Sequence, residues 1–411
     1  MLRSLAEYCM MMTSNVSSWS VSDAVVSDGA SATLAALIVV PGWDLSLLTS
    51  ASASVVSGGI TNAIWCIGIS PPLPPGAPSH ALVRVFGAGS SVFIDREADT
   101  ARVAALASRG LGPLLYGAFA NGRVEQWFAD TRPLEPAEMS APHHASAIAR
   151  ATAALHVGAA DLLITSEAGD FFPPPVLWRR VTSWLDVASA AATTTTTRSL
   201  AVRYAREAAA WAETALGAAA AARWSDKARA RAEAAAESPA LATARAAGAA
   251  AGLCVVFAHN DLLSGNILVP TTSGTSPSDV AVRLIDTEYA APNYLGFEIA
   301  NHWFEICGFE VDLSRFPSVE ARADWTRAYV DAGGAGSAGA AALAAGPAAA
   351  AAFADELAST ATRFVVASHL WWGSWALVQA GLTTSSCDFD YGAYAERRLA
   401  LIDKHAKEFF E

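Results

Sequence analysis

Apolar and polar residues follow two different rhythms along the chain, and the change falls near Pro133. Before it, apolar positions recur at about every second residue, as in half-buried strands. Residues 53–69 form two alternating apolar segments on either side of Gly58-Gly59, which predicts a hairpin. Residues 80–86, HALVRVF, predict a strand that carries Arg84 into an apolar setting. Residues 114–119 and 123–128 predict two further strands around the Asn121-Gly122 turn. Between them, residues 102–109 have helical spacing and stop at Gly110 and Gly112-Pro113, while the proline-rich stretch 71–78 is a connection. The sum is a small, mostly antiparallel sheet with one helix.

Beyond Pro133, Ala- and Leu-rich helical patterns dominate, with strand signals at 255–258, 266–269 and 280–285. This predicts an α+β chain of two lobes: a small antiparallel β lobe over residues 41–131 and a large, mainly helical lobe over 132–411. Residues 1–40 show little periodicity and read as an N-terminal extension, loosely packed or helical. The Thr-rich stretch 189–198 and the Ala-rich stretch 332–352 read as variable connections or padded helix ends, since such tracts form helices without carrying chemistry.

Composition narrows the function class. With 411 residues, 53% hydrophobic and 16% charged, the chain has ample material for a buried core. A formal net charge of −12 argues against nucleic-acid binding, which relies on clustered Lys and Arg, and suits a small cationic substrate better. The five cysteines form no CxxC pair, so neither zinc nor a disulfide framework is expected, and a cytoplasmic setting follows. The apolar stretch 34–40 is far shorter than the roughly 20 residues of a membrane helix, so no integral membrane segment is expected.

The chemistry concentrates in FAHNDLLSGNILV, residues 257–269, a strand, a tight polar loop and a second strand. Asp261 and Asn266 stand five apart, the spacing at which kinases place the Asp that accepts the substrate's hydroxyl proton and an Asn that binds magnesium. Asp286 ends the apolar run VRLID, where the same template has the magnesium-binding Asp. Any one of these alone is more often a turn or strand-end residue. The ordered set of three, framed by apolar strands, points to a magnesium-dependent phosphotransferase with Asp261 as base and Asn266 and Asp286 as ligands.

HNDLLSGNILV followed by LIDTEYAAPNYLGFEIANHWFE resembles the signature region of the choline and ethanolamine kinases. The resemblance extends through SGGITNAIW, VRVFGAGSSVFIDRE, GLGPLLYG and VEQW upstream and SHLWWGSWALVQA and FDYGAYAERR downstream, covering residues 53–398. It implies a protein-kinase-like fold and transfer of the γ-phosphoryl of ATP to ethanolamine or choline, the first step of the Kennedy pathway of phospholipid synthesis. ATP would lie between the lobes, and a homodimer is compatible with the sequence. The turn Gly58, Gly59, Ile60, Thr61 and Asn62 would cover the nucleotide phosphates, Arg84 would contact them with Asp99 as its expected partner, and Gln126 would stand at the hinge. Tyr289, Glu305, Trp372, Trp375 and Tyr394 would form the acceptor pocket, with Asp261 at its reactive end. Carboxylate and aromatic faces are what an ammonium group needs.

Other residues in these motifs read as structural. Trp371, His302 and His369 read as core, and His259 as a hydrogen-bonded anchor of the loop. Leu263, Thr287 and Glu298 depart from the family's usual Gln, aromatic and Asp. Ethanolamine is favoured over choline by the forms GGITN and GFEVDLSRFPS, while the paired Trp residues stand where choline kinases build their cage, so a dual activity stays open. Two other readings stand beside it: a kinase of the aminoglycoside or fructosamine type, suggested by Leu155-His156 and the HND loop, and a pseudokinase scaffold, suggested by the three departures.

Overall fold

The computed structural model describes residues 25–56, 62–87, 93–163, 174–192, 195–214, 225–227, 229–231, 233, 235, 237–271, 280–382 and 389–410. The chain divides into two compact units, Met1–Ala129 and Asp130–Glu411.

The first unit is built on a five-stranded antiparallel sheet. Its strands are β1 (Ala51–Val56), β2 (Asn62–Ile69), β3 (His80–Phe86), β4 (Leu115–Phe119) and β5 (Gly122–Gln126), in the order β1-β2-β3-β5-β4. Alternation sends Ile67, Ile69, Ala81, Val83 and Val124 to one face, which is buried. What covers them is α1 (Gly29–Val39), whose Ala32, Ala35, Ala36 and Leu37 pack into the same core. The segment 1–40, expected as an extension, thus contributes a core helix within its described part. Asp28 caps it by accepting from the Ser31 N–H at 2.8 Å, a local start signal that composition obscures. A second helix, α2 (Arg96–Ala107), is capped by Asp95 and begins six residues before the predicted span of 102–109.

The second unit is mainly helical. Its helices are α3 (Pro142–Gly158), α4 (Leu177–Ala191), α5 (Thr195–Thr214), α6 (Pro239–Ala251), α7 (Leu295–Glu305), α8 (Val319–Asp331), α9 (Gly336–Ala344), α10 (Pro347–Arg363), α11 (Val365–Leu382) and α12 (Tyr391–Phe410). Two small antiparallel sheets sit among them. One joins β6 (Thr131–Pro133), β8 (Ile267–Pro270) and β9 (Arg283–Leu284), and the other pairs β7 (Val255–Ala258) with β10 (Ala291–Tyr294). None of the described helices is long and apolar enough to cross a membrane.

The Ala-rich tract is more than padding. Its Ala349 and Ala352 are buried along α10, as are Ala354, Ala358 and Ala361 just beyond it, and small side chains let α6 approach closely. At the crossing, a Cβ on Gly248 would stand 2.2 Å from the Phe353 carbonyl oxygen. Elsewhere in a helix, Gly→Ala gains about 1 kcal/mol of propensity. Here overpacking against backbone outweighs it, so Gly248→Leu is expected to cost about 3 kcal/mol or more. Urea unfolding would measure this, and an unchanged midpoint would contradict the close crossing.

Candidate active site

The loop after β7 is held by one stripe of α7. Residues 298, 301, 302 and 305 share a helical face through their three- and four-residue spacings. Both oxygens of Glu298 accept backbone N–H groups, from His259 and Asn260, at 2.8 Å each. Asn301 Nδ2 donates to the Asn260 carbonyl at 3.1 Å. His302 Nδ1 lies 3.0 Å from the Leu262 carbonyl and must therefore carry the proton there. From the other side, His259 Nε2 donates to the Ile285 carbonyl at 2.9 Å. His259 is thus the loop anchor expected of it, and burial lowers its pKa, which favours the neutral ring.

Asn260 turns the chain in the left-handed region at φ 63, a conformation that Asn tolerates because its short amide can bond locally. Its Nδ2 donates to the Tyr289 carbonyl at 3.0 Å and its Oδ1 accepts from Asn293 at 2.8 Å. Glu298, singled out as a departure, thus reaches two amides. Burial pushes its pKa up, but the nearby imidazoles of His156, 3.7 Å away, and His259 together with the Asn260 amide outweigh this and lower it.

Asp261 follows, almost fully buried. Asn266 Nδ2 donates to its carbonyl at 2.9 Å and to its Oδ2 at 3.0 Å. Its Oδ1 is buried with no hydrogen-bond partner among the described residues. Burial raises the carboxyl well above its ordinary value, helped by the negative charges of Glu305, Asp286 and Glu288 and opposed by the Asn266 bond. An unusually basic carboxylate with one open oxygen is suited to accept a proton.

Asn266 and Asp286 are brought together by strand pairing. Ile267 pairs with Leu284, and the Ile285 N–H donates to the Asn266 carbonyl at 3.0 Å, so the two side chains leave the ends of adjoining strands. Asp286 sits in the left-handed region at φ 61. With its Nδ2 committed to Asp261, Asn266 keeps an amide oxygen that accepts from none of the described residues. One carboxylate and one amide oxygen form the sparse, hard donor set that magnesium takes alongside phosphate and water. The residues present fit that ion. Among the described residues, no cluster of three His, Cys, Asp or Glu forms a cage for another metal.

The expected acceptor residues also converge. Trp375 Nε1 donates to the Tyr289 hydroxyl at 3.0 Å. Trp372 meets Tyr289 and Trp375 edge to face, both at 5.6 Å between ring centres. Glu305 is buried and accepts from Arg398 Nη2 at 3.1 Å through Oε1, and among the described residues none donates to its Oε2. Burial raises its pKa and Arg398 opposes the rise. Tyr394 is buried under the Arg398 guanidinium, 5.3 Å from its ring centre. Trp371 is fully buried, as expected of a core residue. His369 is likewise buried, with Nε2 2.8 Å from His405 Nδ1.

The nucleotide candidates lie in the first unit. Arg84 is buried on β3 with Nε 3.6 Å from Glu125. The expected Arg84–Asp99 pair is not formed: Asp99 instead receives Arg123, with Arg96 at 3.7 Å. Strand register explains this, because Arg123 on β5 stands directly opposite Arg84 and reaches both Asp99 and Glu125. Gln126 accepts the Leu114 N–H at 3.2 Å, and Asn62 accepts from Arg96 at 3.2 Å. Gly58, Gly59, Ile60 and Thr61 lie outside the described residues.

Several participants had not been anticipated: Asn260, Asn301, Glu288, Trp184, Tyr391 and Arg398. Trp184 meets Tyr289 at 6.3 Å and Tyr391 meets Trp375 at 5.6 Å between ring centres. The helical spacing of Glu298, Asn301, His302 and Glu305 could have revealed Asn301. Nothing local marks Arg398 as the partner of Glu305, 93 positions away. Of the departures, Thr287 is buried at the start of the short turn Thr287–Tyr289 and Leu263 caps the turn that holds Asn266.

The choline/ethanolamine kinase family matches residues 53–403. An ethanolamine kinase of Drosophila melanogaster is 30% identical over 315 residues, 76% of this chain and 52% of that protein. A probable ethanolamine kinase of Arabidopsis thaliana is 28% identical over 343 residues, 84% of this chain and 76% of that one. The chain thus spans about half the length of the fly relative. Among solved structures, a choline kinase of Cryptosporidium parvum Iowa II superposes with a TM-score of 0.65 at 20% identity, covering 91% of this chain and 94% of that one. That likeness supports the expected two-lobed, protein-kinase-like α+β fold. On the match over residues 53–403, the chain belongs to the choline/ethanolamine kinase family.

Proposed function

We propose that the protein transfers the γ-phosphoryl of ATP to the hydroxyl of ethanolamine, with choline as a poorer acceptor. The observation that carries this reading is the buried, unpartnered Oδ1 of Asp261, set within electrostatic reach of Glu305. Asp261 orients the acceptor hydroxyl on Oδ1 and takes its proton as the oxygen attacks. Asn266 holds the carboxylate by Oδ2, so that Oδ1 keeps its direction. Asn266 and Asp286 would hold magnesium, which when bound neutralises charge on the phosphates. The nucleotide is assigned to Gly58–Asn62, Arg84 and Gln126.

The amine end of the acceptor is assigned to Glu305, Tyr289, Trp372, Trp375 and Tyr394. A primary ammonium has N–H groups to donate to Glu305 Oε2, to which none of the described residues donates. A quaternary ammonium has none, makes no such hydrogen bond and leans on ring faces and on charge attraction at longer range. With this reading go an ATP and magnesium requirement, a cytoplasmic location and a role in supplying phospholipid headgroups.

A coupled ADP-release assay with ethanolamine, choline and an aminoglycoside tests it. Ethanolamine is expected to exceed choline in kcat/KM by about ten-fold, the worth of one charge-assisted hydrogen bond. ADP release with the aminoglycoside alone, or with none of the three, would sink the proposal.

A further inference from the structure

Asn301 is fully buried in α7 and touches both halves of the proposed reaction site. Its Nδ2 donates to the carbonyl of Asn260, the peptide unit that leads into Asp261, at 3.1 Å. Its Oδ1 accepts from the indole Nε1 of Trp372 and from Ser368 Oγ, both at 2.8 Å. A single amide therefore spans from the loop that carries the base to the ring that walls the amine. Only a side chain with donor and acceptor at one end can do this; Asp lacks the donor and Leu lacks both.

We infer that Asn301 is a positioning residue that couples the aromatic cage to the catalytic base, so that the placement of Trp372 and the orientation of Asp261 are set together. The physical ground is the absence of slack. Asn260 is already in a left-handed conformation and its two side-chain ends are committed to Tyr289, Ala291 and Asn293. The Asp261 peptide can turn only by breaking the Asn301 bond. On the other side, Trp372 can shift only by leaving Oδ1 or moving it. A ring displaced by a wrongly sized amine would thus disturb the base, which ties acceptor selection to turnover as well as to affinity. This coupling rests on the proposed amino-alcohol kinase reaction.

The test is a double-mutant cycle on the full-length protein with MgATP and ethanolamine. Asn301→Asp sets an acceptor oxygen against the Asn260 carbonyl and is expected to lower kcat about 100-fold, with KM for ATP within about two-fold of the parent. Trp372→Phe keeps a ring but removes the N–H donor, and is expected to lower kcat about ten-fold in addition to raising the amine KM. The combined variant should lose about ten-fold less than the product of the two single losses, because both break one network. Multiplicative losses, or a Trp372→Phe variant changed in KM alone, would overturn the coupling. The Trp372→Phe result decides the matter even if Asn301→Asp does not fold. A parent protein inactive on ethanolamine and choline would instead overturn the functional reading, and the coupling with it.

Discussion

Asp261→Asn should lose turnover by about 10³-fold or more while still binding MgATP, because it removes proton acceptance and leaves shape intact. The substituted amide can present its oxygen to Asn266 Nδ2, so the bond now made to Oδ2 is retained. What disappears is the basic lone pair at Oδ1, which no protein group occupies. ADP release measures the loss, and thermal stabilisation by MgATP measures retained binding. Undiminished turnover would remove Asp261 from the role of base.

The same substitution should raise the melting temperature in the absence of nucleotide and metal. Burial and the charges of Glu305, Asp286 and Glu288 hold the Asp261 pKa well above 3.8 in the folded protein. Between 3.8 and that raised value, the folded state binds more protons than the unfolded one, so stability falls as pH rises through this window. Above it, the ionised carboxylate is a standing destabilisation that Asn does not carry. The stabilising effect of Asp261→Asn should therefore be largest at neutral pH and shrink on acidification towards 3.8. A variant less stable than its parent at neutral pH would show that the carboxylate is not strained by burial.

Asp286→Asn should be nearly as damaging, by about 10²- to 10³-fold in kcat/KM, through loss of charge compensation at the phosphates. Asn is the appropriate replacement because position 286 is left-handed at φ 61, where Ala would add backbone strain to any loss of chemistry. The amide keeps an oxygen but not the negative charge, so the magnesium concentration giving half-maximal rate should rise. Titration of the rate with magnesium at fixed ATP would read this. An unchanged magnesium dependence would release Asp286 from the role of ligand.

Much of this was legible in the sequence because it is local. The strand at His80–Phe86 follows from alternation, and the strand at Val255–Ala258 from a short, wholly apolar run. The Asp261, Asn266 and Asp286 set was legible because adjoining strands bring it together within a short stretch of chain. The start of α2 was missed because its first turn, with Arg96, Glu97 and Asp99, hides the apolar spacing that appears later in the helix. For the segment that holds the helix Gly29–Val39, sequence left loose packing and helix as alternatives for the opposite reason: it is apolar nearly all round, so it shows no amphipathic rhythm.

Sequence by itself determined the family and the candidate residues that adjoining strands and one loop bring together, since spacing within a strand or loop constrains direction as well as distance. Partner choice across the fold was decided by tertiary structure alone. Strand register set Arg123 beside Arg84 and so gave Asp99 to Arg123. The packing of α7 against α11 and α12 gave Trp372 to Asn301 and Arg398 to Glu305. A buried polar group must find a partner, but which one it finds depends on the side chains that packing carries across tens of residues, and no local pattern encodes that.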